Sequence, residues 1–255
     1  MAWDPALYSA FAAPRLRPAL DLIGRIGAAR PARVVDLGCG TGNVTRILAE
    51  RWPEAAVTGI DSSPEMLAAA AKEAPALEWV KADVGAWRPN PPPDVLFSNA
   101  ALHWLDDHAT LFPRLLDGLA PGGWLAVQMP RNHQAPSHIA VIEAAAAGPW
   151  AEALAPVLRP SPVAAPSVYY DVLAPEASEL DIWETEYLHV LEGDNPVVKW
   201  TMGTTLRPLL AALAPEQQAG FLAEYGARVA ARYPKQADGK TLFPFRRVFM
   251  VARKR

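Results

Sequence analysis

Short apolar runs and helically spaced apolar positions take turns along the first half of the chain. Consecutive β-branched and aliphatic residues at Val34-Val35, leading into Leu37, predict a buried strand, and a second run over 56–60 closes on Asp61. Further strands are expected over 77–82, 94–98 and, after Pro121-Gly122-Gly123, 124–128. Between them the spacing predicts helices over 43–51, 64–73 and 110–119, the second started by Ser62 or Ser63 as cap with Pro64 in its first turn. Ahead of the first strand, Leu7, Phe11, Leu20, Ile23 and Ile26 predict a short N-terminal helix, a kink at Pro14 and Pro18, and a longer helix. Strand and helix alternating in this order predict an α/β fold with a doubly wound, Rossmann-like, mostly parallel sheet of seven strands.

Past Met129-Pro130 the regular alternation stops. A helical piece is expected at 139–147, a proline-rich loop over 149–166, a sixth strand over 180–191 and a seventh over 243–252. Helical patterns over 196–213 and 215–233 lie between the last two strands and are expected to form an α-helical cap. The expected organisation is an N-terminal helical lid (1–30), a nucleoside-binding core (31–130) and cap insertions with the final two strands (131–255), all in one compact domain.

The 255 residues suffice for one large α/β domain with an elaboration, and 51% hydrophobic content argues against long disorder. A net charge of −3 offers no basic surface for nucleic acid. Cys39 is the sole cysteine, so no disulfide forms within the chain, and a cytoplasmic setting is expected. Met1-Ala2-Trp3-Asp4-Pro5 does not read as a secretory signal, no segment reads as a membrane span, and no obligate protein partner is evident. His103, His108, His133 and His138 sit near Asp106 and Asp107 but without HExxH or CxxC spacing, so no metal is expected.

Candidate chemistry centres on Asp36-Leu37-Gly38-Cys39-Gly40-Thr41-Gly42. Three glycines after a strand permit a tight turn and a close approach of ligand to backbone. The spacing is GxGxG and Asn43 follows, so the GxGxxG turn of dinucleotide sites is not met. Asp61, at the end of the second strand, is placed to accept both hydroxyls of a ribose. A nucleoside without phosphates fits this pair of features best.

Over roughly residues 30–130 these motifs resemble the class I S-adenosylmethionine-dependent methyltransferases. The resemblance implies S-adenosyl-L-methionine as cofactor and S-adenosyl-L-homocysteine as product, with Gly38, Gly40 and Gly42 against the methionine and ribose and Asp61 on the ribose diol. It adds Asp36, Ser62 and Asn99 to the cofactor set and places Asp83 at the adenine amino group. Met66 is a candidate cover for the adenine or plain core, and Val84 with Trp87 line the base. Asp83 has an alternative reading as a loop or capping aspartate.

After the fourth strand, Asn99-Ala100-Ala101-Leu102-His103-Trp104 lacks the Asn-Pro-Pro-Tyr pattern of amine-methylating relatives. Flanking motifs extend the resemblance over almost the whole chain. Trp3-Asp4-Pro5-Ala6-Leu7-Tyr8, Gly59-Ile60-Asp61-Ser62-Ser63-Pro64, Leu102-His103-Trp104-Leu105, Tyr169-Tyr170-Asp171, Leu206-Arg207-Pro208 and Phe249-Met250-Val251-Ala252-Arg253 together are similar to the trans-aconitate 2-methyltransferase family. That resemblance implies O-methylation of one carboxylate of a small polycarboxylic acid. Alternatives are another small acid, a malonyl thioester on a carrier protein, or a cofactor-binding protein without turnover.

A tricarboxylate calls for fixed cations with forked geometry. Candidates are Arg207, Arg246 and Arg247, then Arg131, with Tyr8, Tyr169 and Gln128 as neutral hydrogen-bonding partners. An ionised carboxylate is already a nucleophile, so no general base is required, and Trp104, His103 and Tyr170 are expected to position it. Arginines are expected on the spectator carboxylates.

Overall fold

The computed structural model describes residues 12–158 and 160–255. In chain order the elements are α1 (Ala12–Ile23), β1 (Arg33–Leu37), α2 (Asn43–Arg51), β2 (Ala56–Asp61), α3 (Pro64–Glu73), β3 (Glu78–Lys81), β4 (Val95–Asn99), α4 (His108–Asp117), β5 (Trp124–Pro130), α5 (Pro136–Ala146), α6 (Ala151–Leu154), α7 (Pro166–Leu173), β6 (Ala177–Leu191), α8 (Pro196–Met202), α9 (Arg207–Ala212), α10 (Pro215–Arg232) and β7 (Thr241–Lys254). The seven strands run β3-β2-β1-β4-β5-β7-β6 across one sheet. Pairings from β3 through β5 are parallel, and β7 joins β5 antiparallel. Strand order reverses between β1 and β4, and ligands of open α/β sheets bind beyond the carboxyl ends of strands at such a point.

Local chemistry explains most boundaries. Ser63 caps α3 by accepting the Met66 N–H at 3.2 Å, with Pro64 opening the helix. The expected helix over 196–213 is two helices, because α8 stops at Gly203 and Pro208 cannot donate into a continuing turn. The expected loop over 149–166 contains α6 and a 3₁₀ turn at Ala155–Val157. Helix α7 follows it, started by Pro166 and unread in the sequence. The expected short N-terminal helix, and Tyr8 with it, lies outside the described residues.

The described chain divides into two compact units. One comprises 16–130, 162–185 and 247–255; its core joins Leu37, Leu96 and Val127 of the sheet to Phe112 and Leu115 of α4 and Tyr169 and Leu173 of α7. The other, with 131–161 and 186–246, packs Trp150, Trp200, Phe221, Tyr225 and Phe243 into a separate core. There Glu143 of α5 pairs with Arg228 and Arg232 of α10 at 3.1 and 2.6 Å.

Candidate functional site

The loop between β1 and α2 is built from three left-handed glycines, with φ of 80° at Gly38, 56° at Gly40 and 75° at Gly42. A Cβ on Gly38 would lie 2.2 Å from that of Ala101, and one on Gly42 2.3 Å from the Trp79 ring. Packing therefore dictates these two glycines. A Cβ on Gly40 would meet nothing within 4 Å, so the outer side of that residue is open. Trp79, which the sequence reading missed, also fills the space beside Gly59, where a Cβ would lie 2.4 Å from its ring, and donates its indole N–H to the Ala74 carbonyl at 3.0 Å.

Asp61 ties the loop to the start of α3. One carboxylate oxygen accepts the Gly40 N–H and the other the Ser63 N–H, both at 2.9 Å. Gly38 and Cys39 donate to the Ile60 carbonyl at 2.8 and 2.9 Å, carrying the β1–β2 ladder into the turn. Asp36 is 2% exposed and accepts the Thr45 hydroxyl at 2.6 Å, so it braces the turn from beneath; the expected cofactor contact from its carboxyl is corrected by that burial. Burial raises the Asp36 carboxyl to about 7, against the lowering by Thr45, with Asp61 adding a further rise. Burial also pushes the Cys39 thiol up, with Asp36 and Asp61 adding to it, so Cys39 is no nucleophile.

Beside this turn, β2 and β3 bring Asp61 and Lys81 into register, and Ala82 donates to the Asp61 carbonyl at 3.1 Å. Asp83 follows, exposed, with one oxygen accepting the Gly85 N–H at 2.9 Å. Val84, Trp87 and Met66 are half-buried and Ser62 is exposed. Arg114 of α4 donates to the Gly85 carbonyl and, at 2.8 Å, to that of Trp87, holding the 83–87 turn.

A second polar set forms where β4, β5 and β7 meet. Register places Asn99 opposite Gln128, and Gln128 opposite Phe249. Arg247 is two residues from Phe249 and shares its face of β7. The residue is 5% exposed, and its guanidinium donates to the Gln128 Oε1 at 3.2 Å. Ala100, at φ 53°, turns the chain out of β4 and into the Leu102–Trp104 3₁₀ turn. Asn99 Oδ1, His103 Nδ1 and Gln128 Nε2 are buried and lack a hydrogen-bond partner among the described residues. Burial, then the Arg247 cation and the charge His108 would carry if protonated, lower His103 to about 3, so the imidazole is neutral at physiological pH. Trp104 stands 57% exposed beside it, ring centroids 4.6 Å apart.

Helix α7 separates the two tyrosines. Tyr170 is 58% exposed, whereas Tyr169 is fully buried with its hydroxyl engaged by His108 and the Ala164 N–H. The expected substrate-facing role of Tyr169 is corrected by that burial. Of the paired arginines, strand alternation turns Arg247 inward and leaves Arg246 outward, 3.6 Å from Glu186. In the second unit Arg131 is half-buried, its N–H on the Arg246 carbonyl at 2.9 Å, and Arg207 is exposed at the first residue of α9. Among the described residues no three His, Cys, Asp or Glu side chains group as a metal site, and no helix is long and apolar enough to cross a membrane.

Buried histidines make stability depend on pH in a predictable direction. His103 and His138 are lowered from 6.5 to about 3 and about 4, chiefly by burial. Between these values the unfolded chain binds protons that the folded chain refuses, so stability is lost as pH falls below about 6.5. Asp36 acts in the opposite sense: the folded chain keeps its proton up to about 7, and that contribution is lost as pH rises. Two histidines against one carboxyl leave a net slope of about 1.4 kcal/mol per pH unit. His108 and His133, also lowered by burial, add to it. Urea midpoints are expected to fall between pH 6.5 and 4.5; a flat profile would contradict the burial of these rings as neutral bases.

Comparison with known proteins identifies the family. Residues 34–123 match the family model described as a methyltransferase domain. A trans-aconitate 2-methyltransferase of an Azoarcus species is 50% identical over 250 residues, covering 98% of both chains. That of Methylobacterium nodulans is 50% identical over 253 residues, covering 99% of this chain and 98% of its own. Among solved structures, the YcgJ protein of Bacillus subtilis superposes with a TM-score of 0.57 at 15% identity, covering 94% of this chain and 99% of its own. A Haemonchus contortus phosphoethanolamine N-methyltransferase 2 in complex with S-adenosyl-L-methionine superposes with a TM-score of 0.53 at 16% identity, covering 94% of this chain and 53% of its own. At half identity over nearly its full length, the chain belongs to the trans-aconitate 2-methyltransferase family of S-adenosylmethionine-dependent methyltransferases.

Proposed function

We propose that this chain methylates one carboxylate of trans-aconitate to give the monomethyl ester, with Arg247 as the buried cation that orients the acid. The observation that carries this reading is an arginine only 5% exposed at the strand ends where Asn99 Oδ1, His103 Nδ1 and Gln128 Nε2 are buried without a partner among the described residues. A buried guanidinium offers a carboxylate a fork of N–H donors where water competes and screens little. The relatives named for this reaction, which align from end to end, support the same choice.

The loop suits the cofactor on two counts. Gly40 is left-handed with an open outer side, and each Asp61 oxygen, having accepted one backbone N–H, keeps a lone pair for a ribose hydroxyl. No lysine or arginine lies within 36–43 to meet phosphates. In this reading Gly38, Gly40, Gly42 and Asp61 hold methionine and ribose, while Met66, Asp83 and Val84 hold adenine, with Ser62 and Asn99 at the margins. S-adenosylmethionine bound there supplies an electrophilic methyl, whose bond to sulfur breaks as a bond to oxygen forms.

The residues of the chain need only desolvate and align an acid that is ionised at neutral pH. Such positioning is worth about 7–11 kcal/mol in favourable cases. Arg247 grips a carboxylate that does not react, because a cation on the reacting oxygen would blunt its attack. His103, neutral near the reacting group, orients without adding charge, and Trp104 and Tyr170 give it walls. Arg131 and Arg207 stay proposed anion ligands, each decided by the KM of its alanine variant.

Incubation with labelled S-adenosylmethionine and a panel of di- and tricarboxylates tests the proposal. Base-labile label on trans-aconitate is the expected result. Absence of ester on every acid would remove the activity.

A further inference from the structure

The Leu102–Trp104 turn, which carries His103 and Trp104, is fastened from behind by a buried chain of hydrogen bonds. His108, the first residue of α4 and 5% exposed, places Nε2 at 3.0 Å from the Leu102 carbonyl and Nδ1 at 2.7 Å from the Tyr169 hydroxyl. The Tyr169 oxygen also accepts the Ala164 N–H at 3.1 Å. A carbonyl only accepts, so Nε2 must carry the ring proton. Burial lowers His108 and keeps the ring neutral, which leaves Nδ1 as acceptor and makes Tyr169 the donor. Phe112 packs against both rings, with centroids at 5.3 Å from His108 and 4.8 Å from Tyr169.

We propose that His108 and Tyr169 are positioning residues for methyl transfer: together they lock the turn bearing His103 and Trp104 to helix α7 bearing Tyr170. This rests on the acid-methylating reading of the same site. Two segments far apart in sequence, carrying three candidate positioning groups between them, are thus held by one buried pair, and neither member of it need touch substrate or cofactor. A hydroxyl spent purely on core stability would have no reason to act on the turn. Here the far end of the chain is the carbonyl of the turn itself.

Tyr169→Phe deletes the hydroxyl while keeping the ring. Its kcat on trans-aconitate is expected to fall at least tenfold, with the Kd for S-adenosylmethionine within twofold of the parent. Amide exchange at Trp104 and Leu105, whose N–H groups close the turn on Ala101 and Leu102, is expected to quicken at least tenfold relative to amides of β1 and β2. Unchanged exchange at these two amides would overturn the inference, as would a kcat within twofold of the parent. If the parent methylates no acid while exchange quickens in the variant, the proposed activity falls and the fastening of the turn stands. Should Tyr169→Phe not fold, nitrogen NMR of the parent decides: His108 must be the Nε2–H tautomer, and the Nδ1–H form would refute the arrangement.

Discussion

Replacing Arg247 with alanine is expected to raise the KM for trans-aconitate about 100-fold or more, while the Kd for S-adenosylmethionine stays within about twofold. The magnitude follows from burial. An exposed cation exchanges its partner for water at little cost, but Arg247, 5% exposed and bonded to Gln128, sits where water screens poorly. Leaving one partner of a buried charge pair alone costs about 3–5 kcal/mol, and even the lower figure exceeds a hundredfold in affinity. The selectivity for KM follows from position, since Arg247 lies on β7, while the glycine turn follows β1 and Asp61 ends β2, with β4 and β5 between.

Two companion measurements separate a lost anion ligand from general damage. Arg247→Lys keeps the charge but not the fork, so its KM should fall between parent and alanine variant. In Arg247→Ala the His103 imidazole should become easier to protonate, because the guanidinium is the second cause, after burial, of its lowered value. A KM near that of the parent in both variants would show that the anion binds elsewhere, and Arg131 or Arg207 would take the role.

How much of this could be read from the sequence varies with the kind of interaction. Helices α2 and α3 begin and end where the residues predict, because Ser63, Pro64 and the glycine turn are local signals whose meaning does not depend on distant packing. Strands β1, β4 and β5 were equally legible, since largely buried parallel strands read as apolar runs. The choice between Arg246 and Arg247 was within reach. Phe243, Phe245, Arg247 and Phe249 share one parity, and the first two are buried, so a period of two puts Arg247 inside.

Other features needed the folded chain. Trp79 reads as an ordinary strand residue, and only its ring beneath Gly42 and Gly59 explains why those positions admit no side chain. Tyr169 and Tyr170 read as an equivalent pair. Helix α7, hidden after a proline-rich stretch, turns the first into the core with Leu173 and the second outward. The His108–Tyr169 bond spans 61 residues and leaves no trace in either local pattern.

The most severe loss of cofactor binding is expected at Asp61. Asp61→Ala removes two kinds of bond at once: the ribose hydroxyls that its carboxylate would accept, and the 2.9 Å bonds to the Gly40 and Ser63 amides that shape the turn around them. Hydrogen bonds to a charged group contribute about 1.5–3 kcal/mol each, so losing both ribose bonds raises the Kd for S-adenosylmethionine about 100-fold or more. Asp61→Asn separates the two effects, because its single amide oxygen can keep one backbone N–H but offers a donor where a ribose hydroxyl needs an acceptor. It is expected to retain most of the stability and little of the affinity. Calorimetric titration of both variants, paired with urea unfolding, makes the test. If either variant bound S-adenosylmethionine as tightly as the parent, Asp61 would only brace the glycine turn, and the ribose would have to be held by another acid, with Asp83 at the neighbouring strand end the first to examine.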